Sequence, residues 1–174
     1  MSKLRIPVGP RDHIIGKPTA TKTLVEYGDY QCSHCGEAYP MIKKLLKEFS
    51  NELLFVFRNF PLQESHPEAM IAAEAAEAAG LQNKFWEMHD MIYEHQDELT
   101  KNNLKYFAEN LDLNIAKFEN DWDSSDVTAK IESDFESGIR SGVNGTPTFF
   151  INDQRLDTYD VTYESLADAV RKAE

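Results

Sequence analysis

Apolar residues in this chain come first as short unbroken runs and later as stripes of helical period. Thr23-Leu24-Val25-Glu26-Tyr27 is an apolar run holding one acid, closed by Gly28-Asp29, and it predicts a buried strand. From Cys35 to Phe49 the positions Met41, Ile42, Leu45, Leu46 and Phe49 recur at helical spacing. Leu53 to Phe57 predicts a second strand, closed by Arg58-Asn59-Phe60-Pro61 because proline cannot continue a ladder. Strand, helix and strand in so short a span make a βαβ unit, which favours parallel pairing and a right-handed crossover.

From Pro67 to about Asp121 the pattern is helical throughout. Glu68 to Ala79 is alanine-rich with Gly80 as its stop, and Lys84 to Tyr93 follows with Phe85, Met88, Met91 and Ile92 on one face. The aromatic and methionine cluster here, Trp86 included, reads as helix packing rather than a substrate groove. Shorter amphipathic pieces are predicted at Asn103 to Asn110 and Ile115 to Trp122. Ser125 to Ser141 predicts a long helix with Val127, Ile131, Phe135 and Ile139 spaced by four. A turn cluster, Val143 to Pro147, precedes a strand at Thr148 to Ile151 and a hairpin through Asn152-Asp153 into Gln154-Arg155-Leu156. Glu164 to Ala173 closes the chain as a helix. The stretch Met1 to Thr21, rich in Pro and Gly, reads as an extended arm. The order predicts an α/β sheet with helices inserted mid-chain and packed against it.

Length and composition narrow the function. With 174 residues, 41% hydrophobic and 11% aromatic, the chain fits one domain with a real core and is not a disordered polyelectrolyte. A net charge of −12 argues against nucleic acid or an anionic membrane as main partner. No apolar window is long enough to insert in a bilayer. Pro7, Gly9, Pro10, Arg11 and Asp12 interrupt what a secretory leader needs. The chain as it stands is therefore expected in the cytoplasm, and in the periplasm or outside the cell if a leader has been removed.

Two cysteines exclude a disulfide-rich scaffold, yet Cys32 and Cys35 lie three apart where a strand gives way to a helix. A helix amino terminus offers unpaired N–H groups and the positive end of the dipole, which stabilise a thiolate. Cys32 is the expected exposed nucleophile and Cys35 the more buried resolving thiol. His34 adds a charge that favours the reduced form and so a more oxidising disulfide. The metal alternative is weaker, because zinc wants four ligands and no second ligand pair has suitable spacing. His13, His66, His89 and His95 read as ordinary surface or core histidines.

The segment Val25-Glu26-Tyr27-Gly28-Asp29-Tyr30-Gln31-Cys32-Ser33-His34-Cys35, with Gly145-Thr146-Pro147-Thr148 downstream, resembles the DsbA-like branch of the thioredoxin superfamily. So do Gly9-Pro10-Arg11-Asp12-His13, Arg58-Asn59-Phe60-Pro61 and the inserted helices. The resemblance implies a thioredoxin fold, a central mixed sheet flanked by helices, with an inserted all-helical subdomain. Its parts would be residues 1–66 (arm and first βαβ part), 67–123 (insertion) and 124–174 (second thioredoxin part). It implies thiol–disulfide exchange with protein thiols and disulfides and a redox partner. The chemistry needs no cofactor beyond the Cys32–Cys35 disulfide. It places Pro147 on the family's cis-proline, gives the Thr146 backbone to substrate, and makes Glu26 a buried acid that moves the proton of Cys35. Ser33 stands where the best-known strong oxidases carry proline, and with His34 it tunes the thiolate. Two alternatives use related bodies: a non-redox isomerase or glutathione transferase, whose kind generally lacks the paired cysteines, and a partner-binding module akin to thioredoxin-like domains attached to membrane transporters.

Overall fold

A computed structural model describes residues 2–173; Met1 of the expected arm and Glu174 of the second thioredoxin part lie outside the described residues. Five strands form one mixed sheet in the order β1-β3-β2-β4-β5. These are β1 His13–Gly16, β2 Lys22–Gly28, β3 Leu53–Asn59, β4 Thr148–Ile151 and β5 Gln154–Arg155. β2 and β3 are parallel, joined by helix α1 Ser33–Glu48, while β1, β4 and β5 pair antiparallel with their neighbours. Between β3 and helix α6 Ser125–Arg140 lie α2 Ala69–Gly80, α3 Phe85–Glu94, a single 3₁₀ turn Gln96–Glu98, α4 Lys101–Asn110 and α5 Ile115–Trp122. Helix α7 Tyr163–Lys172 follows the β4–β5 hairpin. This is the thioredoxin-like α/β fold with helices inserted mid-chain.

Alternation along the strands sorts side chains to the two faces of the sheet. Leu24, Phe55, Phe57 and Phe149 join Ile42 and Leu45 of α1, Leu166 and Val170 of α7 and the inserted helices in the larger core. Val25, Tyr27, Val56, Phe60 and Phe150 form the smaller core on the other face, with Phe135 of α6 packed on it. Gly138 lets α6 lie this close: a Cβ there would come within 2.7 Å of the Phe60 ring.

Three expectations are corrected. The arm contains β1, whose four residues pair with Phe57 to Leu54 of β3; Ile14 and Ile15 stay 40% and 37% exposed, so no burial alternation marks this edge strand. The α6 face was expected to run through Ile139, which is 55% exposed, while Asp134, Ser137 and Gly138 are buried. Steps of four residues overshoot a 3.6-residue turn by roughly 40° each, so the series winds off the buried face by its fourth member. Third, β3 runs on through Arg58 and Asn59, and α2 includes Gly80.

Two buried ionic networks fasten the layers. Arg58 makes a two-pronged contact with Asp12, Nε to Oδ1 at 2.8 Å and Nη2 to Oδ2 at 2.9 Å, and donates to Ile6 O, Pro7 O and the Tyr27 hydroxyl. Burial pushes the Asp12 carboxyl up, but these bonds outweigh it and hold the group below its ordinary range. The second network joins β1, α2, β3 and α6. His13 meets Glu77 at 2.8 Å, Asn59 donates to Glu77 at 2.7 Å and to Asp134 at 3.0 Å, and Lys130 donates to Asp134 at 2.6 Å. Arg58→Ala strands the buried Asp12 charge and should cost about 3–5 kcal/mol in urea unfolding. A loss under about 0.5 kcal/mol, as for an exposed pair, would contradict this account of the arm.

Candidate active site

The site lies where β2 ends and α1 begins. Cys32 is the N-cap residue of α1, in extended conformation, so its sulfur lies beside the free amides of the first turn without a side-chain cap hydrogen bond to them. The Cys35 thiol hydrogen-bonds the Cys32 sulfur, and this contact leads in lowering the Cys32 pKa to about 5. Burial opposes it, while Thr146 and the backbone N–H groups of Cys35 and His34 reinforce it. The Thr146 hydroxyl is buried and has no hydrogen-bond partner in the protein. In the thiol form Cys32 Sγ donates to Thr146 O at 3.3 Å. Against the expectation of an exposed nucleophile, Cys32 is itself buried, at 6% exposure, and Cys35 at 1% is deeper. Burial pushes the Cys35 thiol well above the ordinary value, and the Asp29 amide donates to its sulfur at 3.5 Å.

The sequence-predicted residues fall around this pair in different ways. Glu26 is 2% exposed between Phe57 and Phe149 in the sheet register, and its Oε1 has no hydrogen-bond partner. Burial, with the Cys32 charge added, raises its pKa to about 8. A cavity of about 30 Å³ borders it, lined also by Tyr39, Lys43, His89 and Asp90. The Thr146–Pro147 peptide is cis and lies against Cys32. The Ser33 and His34 side chains are exposed, and His34 Nδ1 meets Glu37 Oε2 at 3.2 Å. The His34 amide is one of the backbone N–H groups that lower the Cys32 pKa. Among the described residues no group of three or more His, Cys, Asp or Glu could hold a metal. A cavity of about 710 Å³ between the Pro61–Ser65 loop and α6 contains none of these residues.

Two residues beyond the predicted set hold the turn. Asp29, fully buried, accepts from the amides of Gln31 at 2.7 Å and Cys32 at 3.2 Å, and from Leu62 N and His66 Nδ1 at 2.8 Å each. Its sequence signal is an aspartate two and three residues before the amides it caps, an Asx turn. Gln96, in the 3₁₀ turn, donates to Tyr30 O at 2.9 Å and Cys32 O at 2.7 Å, and no local pattern marks it.

The sequence matches the family described as "Thioredoxin" over residues 9–172. The chain belongs to the thioredoxin superfamily. Its structure is similar to that of a thioredoxin-like oxidoreductase from Silicibacter pomeroyi DSS-3, at 28% identity and TM-score 0.84 over 95% of each chain. It also shares the fold of BdbD from Bacillus subtilis, at 22% identity and TM-score 0.83 over 93% of this chain and 92% of that one. Among curated proteins it is 44% identical to the Na(+)/H(+) antiporter NhaA 1 of Salinispora arenicola over 98% of this chain and 26% of that relative. The chain thus spans about a quarter of the length of the curated relatives it matches. Among the described residues no helix is long and apolar enough to cross a membrane.

The Glu26 shift has a definite sign. With a folded pKa of about 8 against an ordinary 4.5, the group favours the folded state fully below pH 4.5 and loses that contribution as pH rises through 8. Glu26→Gln should therefore gain on the wild type by roughly 3–5 kcal/mol between about pH 5 and pH 9 in denaturant titrations. A difference independent of pH would refute the buried-acid assignment.

Proposed function

We propose that this thioredoxin-superfamily protein is a thiol–disulfide oxidoreductase acting on protein substrates, with Cys32 as nucleophile and Cys35 as resolving thiol. The observation that carries this reading is the asymmetry of the pair, one sulfur held as thiolate near pH 5 and the other buried as thiol behind it. At neutral pH Cys32 is ionised and attacks a sulfur of a substrate disulfide, releasing the other substrate sulfur as a thiolate. Formation of the mixed disulfide removes the Cys32 charge that had helped keep Glu26 protonated. Glu26 releases its proton to solvent, and its carboxylate takes the proton of Cys35. The Cys35 thiolate attacks Cys32 Sγ, displacing the second substrate sulfur as a thiolate and leaving the Cys32–Cys35 disulfide. Run in reverse, the same steps oxidise a substrate dithiol and leave both cysteines reduced. The electrons then pass to a partner disulfide or equivalent oxidant, and no further cofactor is needed.

Direction follows from the thiolate. A nucleophile ionised four units below its ordinary pKa of 9.0 stabilises the reduced form, which favours transfer of the disulfide to substrate. The half-buried Thr146 and Pro147 beside Cys32 form the surface on which a substrate strand would lie, with the Thr146 backbone as its hydrogen-bonding partner. The similarity to the thioredoxin-like oxidoreductase of Silicibacter pomeroyi supports the same class. Ion antiport is not read onto this chain: the antiporters share with it only a quarter of their own length.

Cys35→Ala should trap the first intermediate. Incubated reduced with a disulfide-bearing protein, it should form a mixed disulfide visible on non-reducing gels, lost on adding dithiothreitol and absent in Cys32→Ala. No adduct with the first variant, or an equal one with the second, would overturn the assignment.

A further inference from the structure

The inserted helices reach back to the cysteine that the previous reading makes the nucleophile, and they do so through one amide. Gln96 Nε2 donates at once to Tyr30 O and Cys32 O, 2.9 and 2.7 Å away. Two carbonyl acceptors on one side require the amide nitrogen there. The Cys32 carbonyl also takes the first bond of α1, from Gly36 N at 3.1 Å. On the other side of the side chain lies Gly36, where a Cβ would fall 2.1 Å from Gln96 Oε1. Glycine at this position in the first turn of α1 is therefore what admits Gln96. The 3₁₀ turn that carries it sits between α3 and α4, so its placement depends on the insertion and not on the sheet.

We propose that Gln96 is a positioning residue for Cys32, clamping the Tyr30 and Cys32 carbonyls so that the first-turn amides of α1 stay aimed at the Cys32 sulfur. The physical effect is electrostatic as well as geometric. A carbonyl beside an anion repels it, and an N–H donor drawn onto that carbonyl reduces its negative potential. The same two bonds hold the N-cap residue while the amides of His34 and Cys35 face its sulfur. Asp29 restrains the turn from the amide side and Gln96 from the carbonyl side, so the loop between β2 and α1 is held by both kinds of backbone group. The ionisable groups around the pair are His34 beside Cys32, Glu26 on β2, Asp29 bonded to the Cys32 amide, and Tyr93 and Tyr159, which act on Cys35. The substitutions below leave all of them in place.

The proposal rests on the reading of Cys32 as nucleophile, and the experiment separates the two. Cys32 ionisation is followed by thiolate absorbance against pH, and the reduction potential by equilibration with glutathione, in the wild type, Gln96→Ala, Gly36→Ala and the double variant. Gln96→Ala removes the donor; Gly36→Ala keeps Gln96 but displaces it. Each should raise the Cys32 pKa by roughly half a unit, a threefold smaller ionisation constant, and make the disulfide less oxidising. The double variant should show no more than either single change, because both remove one interaction. Gln96→Glu, the same shape with an acceptor against both carbonyls, should raise the pKa further. A wild-type value near 5 that Gln96→Ala and Gln96→Glu leave unchanged would overturn the clamp alone. Additive effects in the double variant would overturn it too. A wild-type Cys32 that ionises like a free cysteine and is insensitive to Gln96 would overturn both readings.

Discussion

The hydrogen bond from the Cys35 thiol to the Cys32 sulfur decides where the negative charge of the site resides. Three features of the fold maintain it. The end of β2 delivers Cys32 to the N-cap of α1, so first-turn amides meet the sulfur. The first turn of α1 then carries Cys35 into the larger core, where burial keeps it protonated and able to donate. The Thr146–Pro147 segment ahead of β4 lies against Cys32. A buried thiolate is costly unless several donors face it, and here the Cys35 thiol and the first-turn amides of α1 supply them.

Glu26 belongs to the same electrostatic arrangement with the opposite sign. It sits behind the pair with no hydrogen-bond partner for one oxygen, and both its burial and the Cys32 charge favour its neutral form. A carboxyl that titrates near 8 holds its proton when Cys32 is ionised and gives it up at the price of a buried charge. Such a group suits reversible proton storage better than a permanent ion pair. The two other buried acid clusters behave differently. Asp12 has Arg58, and Glu77 has His13, Asn59 and Lys130, so both are held below their ordinary values and serve to join layers.

Much of the fold was legible because most elements follow one local rule. The buried runs at Leu24 and Leu53, the alanine-rich α2 and the short amphipathic α5 each state their type within a few residues. The placement of the cysteine pair at a strand–helix junction was legible from its spacing, and the burial of Glu26 and the cis bond before Pro147 through the resemblance. What escaped was non-local. β1 is defined by backbone pairing to β3 and leaves its isoleucines exposed, so no burial pattern announces it. α6 hides Asp134 and Ser137 in polar networks, which an apolar stripe does not reveal. Gln96 lies 64 residues from Cys32 along the chain, and only the packing of the insertion brings it there. His34 was read through its ring, and the structure adds its amide, which faces the sulfur.

The account stands on one asymmetry between two cysteines of the same motif, and site-resolved alkylation tests it directly. The reduced protein is pulsed with iodoacetamide across a pH series, and the modified cysteine is identified by peptide mapping. The structure predicts that Cys32 alone is modified, with a rate midpoint near pH 5, while Cys35 is spared until the protein unfolds. Equal modification of both cysteines, with a shared midpoint near the ~8.5 of a free thiol, would contradict it.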